Sequence, residues 1–218
     1  MQCIGNDIIA LNAIDIPRTN TPRFYTKILA ESEQQLYHSQ FSAMPFHYFV
    51  WLLWSIKESA YKCLQKQQPD LLFSPVGTVI TGLSAPSLPI LNFPELLEGR
   101  GFDNDTFKSV ITFQSQKLYA RSVIYGDKLI YTVASVNPDF ADVSWGIKYI
   151  EQADPESQST AVRSLLLNRL QVELSGSELE VQKHSSGYPF VTTGQQELAV
   201  SLSHHENWVG YAYNSPSL

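Results

Sequence analysis

Residues 46–62 read "FHYFVWLLWSIKESAYK". An almost unbroken apolar run, Phe46 to Leu53, leads straight into a segment carrying Lys57, Glu58 and Lys62. A chain with this stretch must bury most of it, and buried charges have to be paired. Pro45 and Pro69 bracket it, which predicts one long helix that begins near Pro45 and stops before Pro69. At 100° per residue, Trp51, Ser55, Glu58 and Lys62 share one narrow face, and Phe49, Leu53, Ile56, Ala60 and Leu64 share the opposite one. Val50 and Leu52 fill the flanks, so the first half is apolar nearly all round and the helix is central. Lys57 points away from Glu58, whereas Glu58 and Lys62 form an i,i+4 pair in the favourable order. Such a pair is either a surface contact worth about 0.2–0.5 kcal/mol or a carboxylate and an ammonium aimed into one cleft. The second arrangement suits a phosphate-bearing ligand with a divalent metal.

Around this helix the pattern alternates. "QCIGNDIIAL" reads as a short strand punctuated by Gly5-Asn6-Asp7, and "RFYTKILAESEQQLYHSQ" is helical. "GTVITGL", "SVITFQ", "LYARSVIY" and "LIYTVASV" read as strands, with Gly126-Asp127 a hairpin turn between the last two. The Pro- and Leu-rich "SAPSLPILNFPELLEGRGFDND" reads as a loop or insertion. "DVSWGIKYI" is a further strand, and Asp154 and Pro155 open a second helix as cap and first residue. "LEVQKHSSGYPFV" and "ELAVSLSHHENWVGYAYN" close the chain as strand, turn and strand. The order predicts an α+β fold of two similar halves, each a small antiparallel sheet with a long helix, divided as residues 1–140 and 141–218.

A 44% hydrophobic content over 218 residues is enough for a real core, and the net charge of −6 argues against a general nucleic-acid binder. It leaves room for a small anion held by a local cluster of cations. Cys3 and Cys63 are too few for a disulfide scaffold or a zinc site, and Cys63 reads as a small buried thiol. No basic segment precedes an apolar one at the start, and no apolar run approaches the roughly 20 residues that span a bilayer. A cytoplasmic chain with no membrane contact is expected.

Two further segments bear on the charged helix. Asp7 is either a turn residue after Gly-Asn or a second carboxylate at a strand end. With Glu58 it would suffice for Mg²⁺, which takes one or two carboxylates plus waters and substrate phosphates. "SLSHHENW" is either a polar strand end or a Ser-His pair able to donate to phosphate. A hydrolase using Ser203 and His204 lacks a nearby orienting acid and oxyanion motif.

Together, "IGNDIIAL", "WSIKESAYK" and "AVSLSHHENWVGYAY" resemble the 4'-phosphopantetheinyl transferase superfamily. The motif order resembles that of holo-acyl-carrier-protein synthase, and the length that of the two-halved members. "RFYTKILAESE" resembles the Arg-Phe … Lys-Ile … Glu segment between the first two motifs. "SSGYPFV", with Gly187, Tyr188 and Pro189, resembles the family's Gly-Lys-Pro segment near the nucleotide. The resemblance is thin between Ser74 and Asp154.

It implies transfer of the 4'-phosphopantetheine group from coenzyme A to a serine of an apo acyl or peptidyl carrier protein, as in fatty acid biosynthesis. Adenosine 3',5'-bisphosphate is then released. It implies Asp7 and Glu58 as ligands of Mg²⁺ or Mn²⁺, and Lys62 as the pyrophosphate contact. Ser203 and His204, with Gly187, Tyr188 and Pro189, would lie against coenzyme A, and Glu58 would also take the serine proton. Ile9 stands where long members often carry a second acid, so water would complete the metal shell. Tyr188 stands where Lys is usual, so Lys183 or His184 would have to meet the 3'-phosphate. Arg18, Arg23 and Lys27 form the candidate docking patch for an acidic carrier, and a monomer is expected. A non-catalytic relative that binds the carrier or coenzyme A is the alternative. His205, facing opposite to His204 on a strand, is expected to be silent.

Overall fold

The structure is a computed structural model that describes residues 3–87, 94–102, 105–174, 178–193 and 196–215. Four layers stack as helix, sheet, sheet and helix. The first sheet is antiparallel, in the order β1 (Ile4–Ala10), β6 (Leu129–Ser135), β5 (Gln116–Tyr125), β4 (Phe107–Phe113) and β2 (Val79–Ser84). The second has the order β3 (Leu96–Arg100), β7 (Val143–Tyr149), β11 (Trp208–Asn214), β10 (Gln196–His205), β9 (Pro189–Thr193) and β8 (Leu179–Lys183). Helix α4 (Phe46–Gln65) covers the first sheet, and α5 (Pro155–Glu173) covers the second. Short helices α1 (Ile16–Thr19), α2 (Pro22–Tyr25) and α3 (Glu31–Leu36) lead from β1 to α4. This is the mixed fold of two antiparallel sheets expected from the sequence.

Three cores hold the layers. Phe49, Leu53, Ile56 and Ala60 of α4 pack on Ile111, Leu118 and Ile130. Ile8, Tyr131 and Val133 meet Val143, Trp145 and Ile147 between the sheets. Val162, Leu166 and Leu170 of α5 pack on Val191, Val200 and Tyr211. β1 therefore has two apolar faces: Cys3 and Ile9 turn to α4, and Ile4, Ile8 and Ala10 turn to the second sheet.

The structure corrects three expectations. Gly5-Asn6-Asp7 does not interrupt the first strand; β1 is continuous and buried throughout. Gly5 is where α4 crosses most closely, since a Cβ there would sit 2.0 Å from the Ser59 carbonyl oxygen. That approach brings residue 3 to residue 63, and Cys3 and Cys63 form a fully buried disulfide in place of free thiols. The expected Pro- and Leu-rich loop contains β3, which pairs with β7 at the edge of the second sheet; residues 88–93 and 103–104 of it lie outside the described residues. The polar face of α4, which the sequence leaves open between a surface pair and a cleft, is partly folded onto the sheet at its Ser55 and Ser59 positions. Ser55 Oγ donates to Thr132 Oγ1 (3.0 Å) and Ser59 Oγ to the Thr132 carbonyl (3.3 Å), whereas Glu58 and Lys62 stay about a quarter exposed.

Lys57 is also buried. Its ammonium donates to Glu33 Oε2 (2.6 Å) and to the carbonyls of Ile28 (2.7 Å) and Pro75 (2.9 Å), and both side chains of the ion pair are wholly inaccessible. Burial lowers the Lys57 pKa, and Glu33 opposes that shift. Among the described residues no helix is long and apolar enough to cross a membrane.

Candidate active site

β1 is an edge strand of its sheet, and its free edge lies beside β10. The backbone groups of that edge need partners, and polar side chains supply them. The Asn6 N–H donates to Ser201 Oγ (2.8 Å), Asn6 Nδ2 to Ser203 Oγ (2.7 Å), and the Ala10 N–H to His205 Nδ1 (3.0 Å). On the other side, Lys62 Nζ donates to the Asn6 carbonyl (3.0 Å), and Lys66 Nζ donates to the Ile4 carbonyl. The period-2 set Ser201, Ser203, His205 thus faces β1, and the period-4 set Lys62, Lys66 reaches it from α4.

Asp7 points to α4. Its Oδ1 lies 3.2 Å from Lys62 Nζ, and Glu58 Oε1 lies 3.1 Å from the same nitrogen. One ammonium therefore holds two carboxylates, one from the strand and one from the helix. The Asp7 side chain is only 6% exposed, while those of Lys62 and Glu58 are 25% and 27% exposed, so the cluster opens to solvent on the α4 side. Burial pushes the Asp7 pKa up to about 7; Lys62 opposes this, and Glu58 adds to it. Lys62 is raised above its ordinary value because Asp7 and Glu58 together outweigh its own burial. Among the described residues Lys66 has no carboxylate partner; burial, with Lys62 nearby, brings its pKa down to about 7.

Among the described residues Asp7 Oδ2 is buried without a hydrogen bond, as is Asn6 Oδ1, although the Ser55 hydroxyl lies near enough to help hold the Asp7 charge. A carboxylate oxygen left bare beside a second carboxylate fits a hard divalent cation. Among the described residues no group of three or more His, Cys, Asp or Glu side chains is placed to hold a metal. Asp7 and Glu58 would therefore be the protein's share, with water and phosphate oxygens completing the shell.

His204 is exposed on β10, and burial, Lys62 and His205 together lower its pKa. Gly187, Tyr188 and Pro189 lie at the turn between β8 and β9. Gly187 has φ +92° and lets the turn close, with the His184 N–H donating to the Tyr188 carbonyl (2.9 Å) and the two rings stacked 4.5 Å apart. Phe190 pairs with Ala199, so this turn projects along β10 in the direction of Ser203. Arg18, Arg23 and Lys27 are exposed on and beside α1 and α2. These helices lean on α4 through Trp51 Nε1, which donates to Thr19 Oγ1 (3.1 Å), and through the Phe24 and Trp51 rings. An apolar cleft of about 390 Å³ under the start of α4, lined by Met44, Tyr48, Phe107 and Ile124, holds none of the motif residues.

A family model described as the 4'-phosphopantetheinyl transferase superfamily matches residues 3–118. The match takes in more than half of the chain, including Asp7, Glu58 and Lys62. The chain belongs to this superfamily. No curated protein and no solved structure matches it. The match reaches past Ser74, where the motif resemblance is thin, and ends before Ser203, His204 and the Gly187 turn. As a member, the chain is of the phosphopantetheinyl transferase type, whose partners in general are coenzyme A and carrier proteins. Sequence reasoning missed Glu33, Ser201 and Lys66, and it read Asn6 only as part of a turn. The alternation Ser201, Ser203, His205 was a legible signal for three groups on one face of a strand.

Proposed function

We propose that this protein transfers the 4'-phosphopantetheine group from coenzyme A to a serine of an apo acyl or peptidyl carrier protein and releases adenosine 3',5'-bisphosphate. The observation that carries the reading is the meeting of Asp7, Glu58 and Lys62, from two separate elements, within a superfamily of this transferase type. Asp7 and Glu58 would hold Mg²⁺ or, as a substitute, Mn²⁺, which when bound would supply positive charge to the pyrophosphate oxygens. Lys62 meets the same oxygens and stabilises the charge that grows on the leaving phosphate. Glu58, directly or through one water, accepts the proton of the attacking serine. His204, exposed on β10, holds coenzyme A phosphates, while Ser203 is buried against Asn6 behind it, and the Gly187-Tyr188-Pro189 turn, with Lys183 and His184, lies against the nucleotide end.

In this reading residues 1–140 and 141–218 form one functional unit, and the second part stands where a neighbouring subunit would, so the protein acts as a monomer. Arg18, Arg23 and Lys27 receive the carrier. The test mixes apo carrier, coenzyme A, Mg²⁺ and the protein and reads the carrier's mass. A gain of one phosphopantetheine group supports the reading. Carrier or coenzyme A binding with no gain in mass, across acyl and peptidyl carriers, sinks it.

A further inference from the structure

β1 pairs with β6 along one edge only, so the N–H groups of its other edge have no ladder to join. Side chains of β10 supply the partners. The Asn6 N–H donates to Ser201 Oγ (2.8 Å), and Asn6 Nδ2 donates to Ser203 Oγ (2.7 Å). Asn6 is wholly buried, and so, within 3%, are Ser201 and Ser203. Ser203 Oγ in turn donates to the carbonyl of Gly210 (3.4 Å), its cross-strand partner on β11. A hydroxyl has one proton. That of Ser203 is used inside the sheet and its oxygen is held by Asn6, so it has no donor left for a phosphate oxygen.

Asn6 and Ser203 each stand one residue before a group of the candidate site. Asp7 turns from β1 towards α4, where Lys62 holds it, and His204 is exposed on β10. Successive side chains on a strand point to opposite faces. On both strands, therefore, the residue in the seam makes the bond and the next one faces away from it. The bond sets how the strand that carries Asp7 sits against the strand that carries His204. Asn6 Oδ1 is buried without a hydrogen bond among the described residues, so the amide is oriented through Nδ2.

We propose that Asn6 and Ser203 are positioning residues: their buried hydrogen bond fixes the spacing between Asp7 and His204, so that one phosphate-bearing ligand can engage the carboxylate cluster and the imidazole together. Ser203 is then not a contact of coenzyme A, contrary to what the motif resemblance implies. Displacing a reacting group by about 1 Å costs about 100-fold in rate, so a single bond that sets a spacing has a large effect. The inference rests on the transferase reading for its role, but not for its geometry.

The test titrates coenzyme A into the protein with and without Mn²⁺. In the wild type Mn²⁺ should tighten coenzyme A binding by about tenfold, a coupling of ordinary size. Ser203→Ala should keep the metal-free affinity within about twofold of wild type and lose most of the enhancement by Mn²⁺. Its kcat for carrier modification should fall about tenfold or more. Asn6→Ala should behave alike, and the double variant should be no worse than either, because the two side chains act through one bond. If Ser203 met phosphate itself, Ser203→Ala would weaken coenzyme A equally with and without Mn²⁺ and Asn6→Ala would not, and the proposal falls. Asn6→Leu with Ser203→Ala replaces both partners by apolar groups and should recover most of the melting temperature lost in Ser203→Ala. If the Mn²⁺ enhancement returns with it, the bond serves folding alone and the proposal falls. It falls too if Mn²⁺ leaves the wild-type affinity for coenzyme A unchanged. Should the variants not fold, hydrogen exchange of the wild-type Asn6 side-chain NH₂ decides: protection that persists when coenzyme A binds supports the bond, and fast exchange or protection lost on binding overturns it. A wild-type protein that modifies no carrier, yet loses its Mn²⁺ enhancement in Ser203→Ala, would refute the transferase reading and leave the positioning role standing.

Discussion

Replacing Lys57 with methionine should destabilise the protein by about 4 kcal/mol, within the roughly 3–5 kcal/mol lost when one partner of a buried ion pair is removed. Methionine fills most of the space, so the cost is electrostatic and not that of a cavity. The Lys57 ammonium serves Glu33 and the carbonyls of Ile28 and Pro75. Glu33 would keep only the N–H groups of Ala30 (2.8 Å) and Ile80 (2.8 Å) for a carboxylate with no exposed surface. For a chain of this length, about 4 kcal/mol corresponds to a melting temperature lowered by about 8–16 °C. Adding Glu33→Gln removes the orphaned charge, so the double variant should lose less than the sum of the two single losses. Urea unfolding followed by tryptophan fluorescence reads this directly, because Trp51 and Trp54 lie on the same helix. A Lys57→Met protein within about 0.5 kcal/mol of wild type would place it among ordinary surface changes and refute the pairing argument. So would strict additivity of the two substitutions.

Asp7→Asn and Glu58→Gln should each lower transfer by about 100-fold or more, the scale of losing one electrostatic group at such a centre, and leave the fold intact by circular dichroism; near-wild-type rates would remove that residue from the metal set. Lys66 gives a pH test. Its pKa is about 7 in the folded protein against 10.5 ordinarily, so between these values the unfolded chain binds more protons and stability rises with pH. Lys66→Met should therefore be more stable than wild type at pH 6, with the advantage shrinking towards pH 10; a constant difference in urea midpoint would contradict the burial of that ammonium. Reversing Arg18, Arg23 and Lys27 to Glu should raise the apparent KM for the carrier, most at low salt, and leave coenzyme A affinity unchanged in a titration. Equal losses would assign the patch to coenzyme A.

Periodicity made α4 and most strands legible, because one apolar face repeats along each. It could not say which way the polar face of α4 turns. Ser55, Ser59, Glu58 and Lys62 look like a solvated stripe until Asn6, Asp7 and Thr132 are brought opposite, and those partners are 55 to 77 residues away in the chain. Glu58 and Lys62 were legible as a pair because their spacing is local. Lys57 was legible only as a problem, since Glu33 sits on another helix. β3 was hidden by its surroundings: Pro and Leu with little alternation read as a loop, and only β7 gives Leu96–Arg100 a ladder to join.

The unit of kinship and the unit of folding do not coincide in this chain. The family match ends at residue 118, inside β5. β6 begins at Leu129, and it is the strand that joins β1 to β5 in the first sheet. Cut at 118, β1 would lose its whole ladder, and Asp7 would sit on a strand with no sheet behind it. β3 would be stranded as well, because β7 follows at Val143. The chain is sewn with long stitches, and each of its signature segments is pinned by thread that comes from beyond the match. Excising the recognised portion would leave the residues that mark the family without the neighbours that make them a site.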